Sequence, residues 1–240
     1  MDLELATRAE YELAGLDAQG VIGRFPKTWI LPRAERDAWI IGVLAIRGIK
    51  VDREMVRAII QDGAEPRCSR QERVFIAGLD RALDRILSRG RAGRLPGGRF
   101  ASDLFETVTR GLPRFTNNHL RRDQPWDALR NVTYPKPDAI VGMLERLAPE
   151  QNYRELPVVF DKLHPVRVGF RAMWRLARVA PFPDFNLMFA FLFMNAIHVA
   201  SGYPLLMPQP SDRHLLESVV SGCVPRRIVQ FESRMLDAAR

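Results

Sequence analysis

Cysteine is nearly missing from this chain. Its 240 residues hold only Cys68 and Cys223, far apart and in no Cys-x-x-Cys pair. That spacing excludes a disulfide scaffold and a zinc ribbon, and it suits a reducing compartment. Lysine is scarce as well. Of 36 basic residues only Lys27, Lys50, Lys136 and Lys162 are lysines, and the rest are arginines. The net charge is +8, but the arginines are scattered, so nucleic acid is not expected as a partner. The four histidines show no metal-ligand spacing with carboxylates, and no P-loop or dinucleotide fingerprint is present. The longest apolar run, Leu187 to Ala200, is broken by Asn195 and His198 and is too short for a bilayer, so no membrane partner is expected. Met1-Asp2-Leu3-Glu4 is acidic, with no basic-then-apolar leader after it. A cytoplasmic protein is expected, and delivery as a secreted effector stays open. Period-two alternation is almost absent too, which makes the expected fold class all-α.

What is present is helical periodicity. The pattern predicts helices over 34–47, stopped by Gly48, and from Asp52 through Met55, Val56, Ile59 and Ile60. Ser69 is placed to N-cap a helix to about Leu87, striped by Phe75, Leu79, Leu83 and Ile86. Ser88 to Gly98 is rich in glycine and arginine. It reads as a connector, with a phosphate cradle as the alternative. Ser102-Asp103 is expected to cap a helix through about Leu112. Residues 113–137 are proline-rich and read as loop with room for a short hairpin. Further helices are expected from Pro137-Asp138, over 165–179, over 186–201, from Arg213 to Val220 and from Arg226 to Ala239. The 186–201 segment is apolar on all sides, as a helix at the centre of a core is. Two regions are expected: an N-terminal helical region over 1–100 packed on a core over 101–240.

The chemistry-bearing stretch is Ala180-Pro181-Phe182-Pro183-Asp184-Phe185-Asn186-Leu187-Met188, between two apolar helices. It resembles the signature of the Fic family, His-Pro-Phe-x-Asp-Gly-Asn-Gly-Arg. His164-Pro165-Val166-Arg167 before it and Gly202-Tyr203-Pro204 after it resemble the flanking blocks in order. Val132-Thr133-Tyr134-Pro135-Lys136-Pro137 is similar to the exit of the family's flap, a hairpin that aligns target segments. The resemblance implies a Fic-like helical domain with a short flap or hairpin at about 120–137, a motif loop at 179–188 and a central buried helix. In active relatives the loop His is general base, the acid holds Mg²⁺ and the Gly-Asn-Gly turn wraps phosphate at a helix N-terminus. Here the His position is Ala180, the glycines are Phe185 and Leu187, and the arginine is Met188. Loss of a positioned base costs about 10²–10⁴ in rate. Loss of a charge-assisted bond to phosphate costs about 1.5–3 kcal/mol. Val43-Leu44-Ala45-Ile46-Arg47-Gly48 resembles the family's inhibitory segment, with Arg47 at the Glu position. The arginine that pairs with that Glu would fall at Phe191.

The resemblance therefore implies ligand-binding candidates Pro181, Phe182, Asp184, Phe185, Asn186, Leu187, Met188 and Arg47, with Asp184 a candidate for Mg²⁺. Phe185, Leu187 and Met188 would give a pocket a hydrophobic wall. Flap candidates are Arg122, Val132 and Tyr134. No catalytic residue is assigned, and His119 is the alternative base. ATP and Mg²⁺ are expected only if nucleotide binding is kept, and a protein or small molecule is the expected partner at flap and pocket. Structural roles compete throughout. Asp184 and Asn186 suit helix capping, His198 a hydrogen-bonded core position, and His164 and His214 surface or capping positions. Three functions stay open. The first is a pseudoenzyme without AMP transfer, acting as an interaction or regulatory module. The second is a repurposed enzyme acting on another small molecule or activated donor. The third is a nucleotide transferase whose His was replaced by Ala180.

Overall fold

The computed structural model of the chain describes residues 10–15, 17, 30–61, 68–116, 119–147, 163–208 and 212–222. Among them every regular element is helical and no strand occurs. Helix α1 (Arg33–Arg47) ends at Gly48, whose φ of 84° is the left-handed conformation that glycine adopts freely. There the Gly48 N–H donates to Ala45 O at 2.9 Å and the Ile49 N–H to Leu44 O at 3.1 Å. This double closure fixes Arg47 at the helix C-terminus, where a cation is favoured. Helix α2 (Arg53–Ile60) starts at Asp52, whose carboxylate accepts from the Met55 N–H at 2.7 Å.

Helix α3 (Arg70–Arg91) opens with a full capping box between Ser69 and Glu72. It runs past Leu87 to Arg91. Arg89 holds that last turn by donating to Leu95 O at 3.2 Å and lying over the Phe100 ring at 4.4 Å. Helix α4 (Gly98–Thr109) begins four residues before Ser102, which is therefore no cap. A Cβ at Gly98 would sit 1.9 Å from Leu144 O, so contact with the next helix selects glycine there. The expected helix after Pro137 is a 3-10 turn, Pro137–Ala139, followed by α5 (Ile140–Glu145). The expected flap at about 120–137 is irregular up to that 3-10 turn, not a strand-paired hairpin. Its chain is held by contacts with the motif loop, given below.

Helices α6 (Pro165–Val179), α7 (Asn186–Ala200) and α8 (Asp212–Gly222) follow; residues 10–15 are also helical, and Pro113–Phe115 is a 3-10 turn. The expected helix from Arg226 to Ala239 lies outside the described residues. One hydrophobic core extends from the N-terminal helices to Val220. Helix α7 is at its centre, packed by α1, α3, α4 and α6, and every residue from Asn186 to Val199 is buried. Its polar groups are satisfied. Asn195 Oδ1 accepts from the Leu206 N–H at 2.7 Å, and its Nδ2 donates to Phe191 O at 3.1 Å. A ring nitrogen of His198 meets Val166 O at 3.1 Å, and burial pushes this imidazole down to about 4. His164 caps α6, and its ring meets Asp17 and the Tyr203 hydroxyl at 3.3 and 3.1 Å. His214 is exposed.

Candidate functional site

Helix α6 stops at Ala180, which is buried and left-handed, at φ 43° and ψ 65°. The chain then turns through Pro181 to Asp184 and enters α7 at Phe185, again left-handed at φ 66°. A side chain in that conformation costs about 1–2 kcal/mol. The Phe185 ring offsets this by packing on Phe75 at 4.6 Å and Phe115 at 6.1 Å. Phe182 stacks flat on Phe105 at 4.3 Å. Asn186 ties the loop into a closed turn. Its Oδ1 accepts from the Phe182 N–H and its Nδ2 donates to Phe182 O, both at 2.9 Å.

The flap crosses this loop and is fixed to it by main chain. The Arg121 N–H donates to Pro181 O at 2.9 Å, and the Trp126 N–H donates to Pro183 O at 2.7 Å. The buried Arg121 guanidinium donates to Ala180 O at 2.6 Å, Pro135 O at 2.7 Å and Asp123 O at 2.9 Å. It also reaches Val179 O at 3.3 Å, so one cation binds both limbs of the flap to the C-terminal end of α6. Burial among carbonyls lowers the Arg121 pKa from its ordinary value.

Asp127 then places its carboxylate on the N-terminus of α7. Oδ2 accepts from the Asn186 N–H at 2.6 Å and Oδ1 from Asn186 Nδ2 at 2.8 Å. A helix N-terminus is an anion seat by its exposed N–H groups and its dipole. Burial raises the Asp127 pKa against the Asn186 hydrogen bonds, and the neighbouring Asp184 charge pushes it further up. Arg47 supplies the opposite charge. Its Nε donates to Asp184 Oδ1 at 2.8 Å and its Nη2 to Oδ2 at 3.4 Å. Burial opposes the Arg47 charge, but the Asp184 bonds and the Asp127 and Glu217 charges outweigh it and raise its pKa. Asp184 Oδ1 also accepts from the Phe185 N–H at 2.7 Å. Beside this cluster is a cavity of about 470 Å³. Leu187 and Met188 of α7, Trp126 and Asp127 of the flap, Arg47 of α1 and Arg213 of α8 are among its walls.

No protein-family model matches the sequence, and no curated protein matches it. Solved structures do match. C. elegans Fic-1 (residues 134–508) is similar at a TM-score of 0.67 and 18% identity, over 97% of this chain and 69% of that one. A Fic-domain-containing signaling protein of Bacteroides thetaiotaomicron is similar at 0.68 and 13% identity, over 99% of this chain and 92% of that one. A Fic family protein of Desulfovibrio desulfuricans matches at 0.55 and 14% identity, over 100% and 73%. The chain has the Fic fold.

The Fic fold gathers some of the sequence candidates and separates others. Arg47, Asp184, Asn186, Leu187 and Met188 meet at the start of α7, beside or lining the cavity. Pro181 and Phe182 are buried in the loop. Phe185 gives the cavity no wall, because its ring is drawn into the aromatic core. Neither Asp184 nor Asn186 is the N-cap, since Phe185 holds that position and Asp127 supplies the capping carboxylate. His119 lines a different cavity of about 660 Å³ with Ser102, Glu106 and Arg122, and lies 3.8 Å from Glu106. Val132 is half-buried. The Tyr134 hydroxyl accepts from the Leu129 N–H at 2.9 Å. Burial raises its pKa, and Tyr134 lines a third, largely apolar cavity with Met143 and Trp174. Asp127 and Arg121 escape sequence reasoning. Each meets partners 58 or 59 residues away, and no local pattern marks either one. Among the described residues no three His, Cys, Asp or Glu side chains are grouped to hold a metal ion, and no helix is long and apolar enough to cross a membrane.

Proposed function

We propose that this Fic-fold chain does not transfer AMP and serves as an interaction or regulatory module. One observation carries the reading: the chain's own side chains fill both charged seats of the loop. Asp127 is at the anion seat of α7, and the Arg47 guanidinium covers the Asp184 carboxylate. Magnesium–nucleotide does not fit these residues. Both Asp184 oxygens already accept hydrogen bonds. An incoming polyphosphate would meet the Asp127 carboxylate on the cavity wall, where Arg47 is already engaged by Asp184 and Arg213 by Glu217. Ala180 has no group to accept a proton, and Met188 has none to pair with phosphate. The flap's N–H groups at Arg121 and Trp126 are spent on the motif loop. That leaves them unable to align a second chain by main-chain hydrogen bonds.

The test is incubation with labelled ATP and Mg²⁺, alone and in a cell lysate. No labelled protein is expected, from the native chain or from Ala180→His. The argument for the second is geometric, since a base acts only on a phosphoryl group held in line at about 3–3.5 Å. A labelled band that disappears in Asp184→Ala would overturn the proposal. The open cavity favours a second reading, a Fic-fold enzyme acting on a different small molecule.

A further inference from the structure

We infer that the cavity between the flap, α7 and α8 is a binding site for a small aryl-substituted carboxylate, with Arg130 meeting the carboxylate. It rests on the preceding reading in one respect, that Asp127 and Arg47 stay in place. At about 470 Å³ the cavity has the size of a small-molecule pocket. Its walls are mixed: Ile46, Leu129, Leu187 and Met188 stand beside Ser218 and Ser221 of α8, which suits a ligand with a compact apolar body and one polar end. Trp126 lines it too; Arg114 lies over its ring at 5.6 Å, and the indole is still 59% exposed, which leaves surface for an aryl ring to stack on.

Charge selects one negative group and disfavours several. Of the cavity's arginines, Arg47 is held by Asp184 at 2.8 Å and Arg213 by Glu217 at 2.9 Å. Arg130 lines the cavity, is exposed, and has no ion-pair partner among the described residues. A guanidinium in that state matches one carboxylate through two parallel N–H groups. A triphosphate would bring several more charges toward the Asp127 carboxylate.

The experiment measures binding to the full chain by calorimetry, with 4-phenylbutyrate, the neutral 4-phenylbutanol, and ATP with Mg²⁺. Phenylbutyrate is expected to bind at least tenfold more tightly than the alcohol. Arg130→Ala should weaken it at least tenfold, and Arg130→Lys should recover part of the loss. Arg130 is exposed, so both variants should melt as the native chain does. No binding of phenylbutyrate, equal binding of the alcohol, or full affinity in Arg130→Ala would each overturn the inference. The outcome for the preceding reading is separate. ATP binding that is lost in Asp184→Ala refutes the self-filled site, whereas phenylbutyrate failing without ATP binding refutes only the ligand class.

Discussion

Removing the Arg47 charge tests the electrostatic arrangement of the site most directly. In Arg47→Met the side chain keeps an apolar stem over Phe185 while Asp184 loses its cation. The two partners are unequally buried, at 32% and 6% exposure. Exposed pairs contribute about 0.2–1 kcal/mol, and breaking a fully buried pair costs about 3–5 kcal/mol. This pair falls between. Asp184 keeps the Phe185 N–H, but it faces Asp127 with no positive charge between them. The guanidinium over Phe185 at 5.5 Å adds about 0.5–1 kcal/mol. A loss of about 2 kcal/mol follows. For a chain of this size that lowers the melting temperature by about 4–8 °C.

A double-mutant cycle with Asp184→Asn isolates the pair. Arg47→Met and Asp184→Asn together should cost less than the sum of the two alone, by about 1–2 kcal/mol in urea unfolding. The coupling should also depend on pH. Arg47 stays charged, so the titrating groups are carboxylates. Asp127 already has a raised pKa, and losing the Arg47 charge raises it further. The folded variant then holds its protons more tightly than the unfolded chain. Its deficit against the native chain should shrink as the pH falls into the carboxylate range and grow as the pH rises through it. A coupling below about 0.5 kcal/mol, or a deficit that ignores pH, would refute the argument.

Two further outcomes follow from the core. Burial holds His198 at about 4 against an ordinary 6.5, so the unfolded chain takes up that proton first. The contribution of neutral His198 is complete above about pH 6.5 and lost as pH falls to about 4, by about 3 kcal/mol, a loss that urea midpoints should show less of in His198→Asn. Gly98→Ala would press a Cβ to 1.9 Å from Leu144 O, on main chain that cannot turn away, and should cost about 1–3 kcal/mol in a thermal melt. Gly97→Ala is the milder comparison: its Cβ would meet nothing closer than Leu147 O at 3.9 Å, and as the N-cap of α4 it should cost under about 1 kcal/mol.

Much of the helical frame is legible in the sequence because its causes are local. The uniform apolarity of 186–201 marks a helix with no solvent face, and α7 is buried along almost its full length. Gly48 after an amphipathic run, and Ser69 three residues before Glu72, are end signals written within one turn. Boundaries slip where distant contacts decide them. Ser102-Asp103 has good cap chemistry, yet α4 starts at Gly98 because α5 packs against that glycine. The last turn of α3 persists because Arg89 reaches carbonyls and a ring beyond it. Phe185 is the sharpest difference. Beside a motif loop it reads as a pocket wall, but Phe75 and Phe115 hold its ring in the core.

The sequence by itself determined the residue types at the loop: no proton acceptor in the side chain of Ala180, bulky side chains at Phe185 and Leu187, and no charge at Met188. It also determined an all-helical frame, since the spacing of apolar residues and caps acts over three or four positions. Only the tertiary structure decided what stands at the charged seats. Asp127 reaches Asn186 across 59 residues, and Arg47 reaches Asp184 across 137. Electrostatic pairing of that kind depends on separation in space and on exclusion of water, and neither is encoded in the order of neighbouring residues.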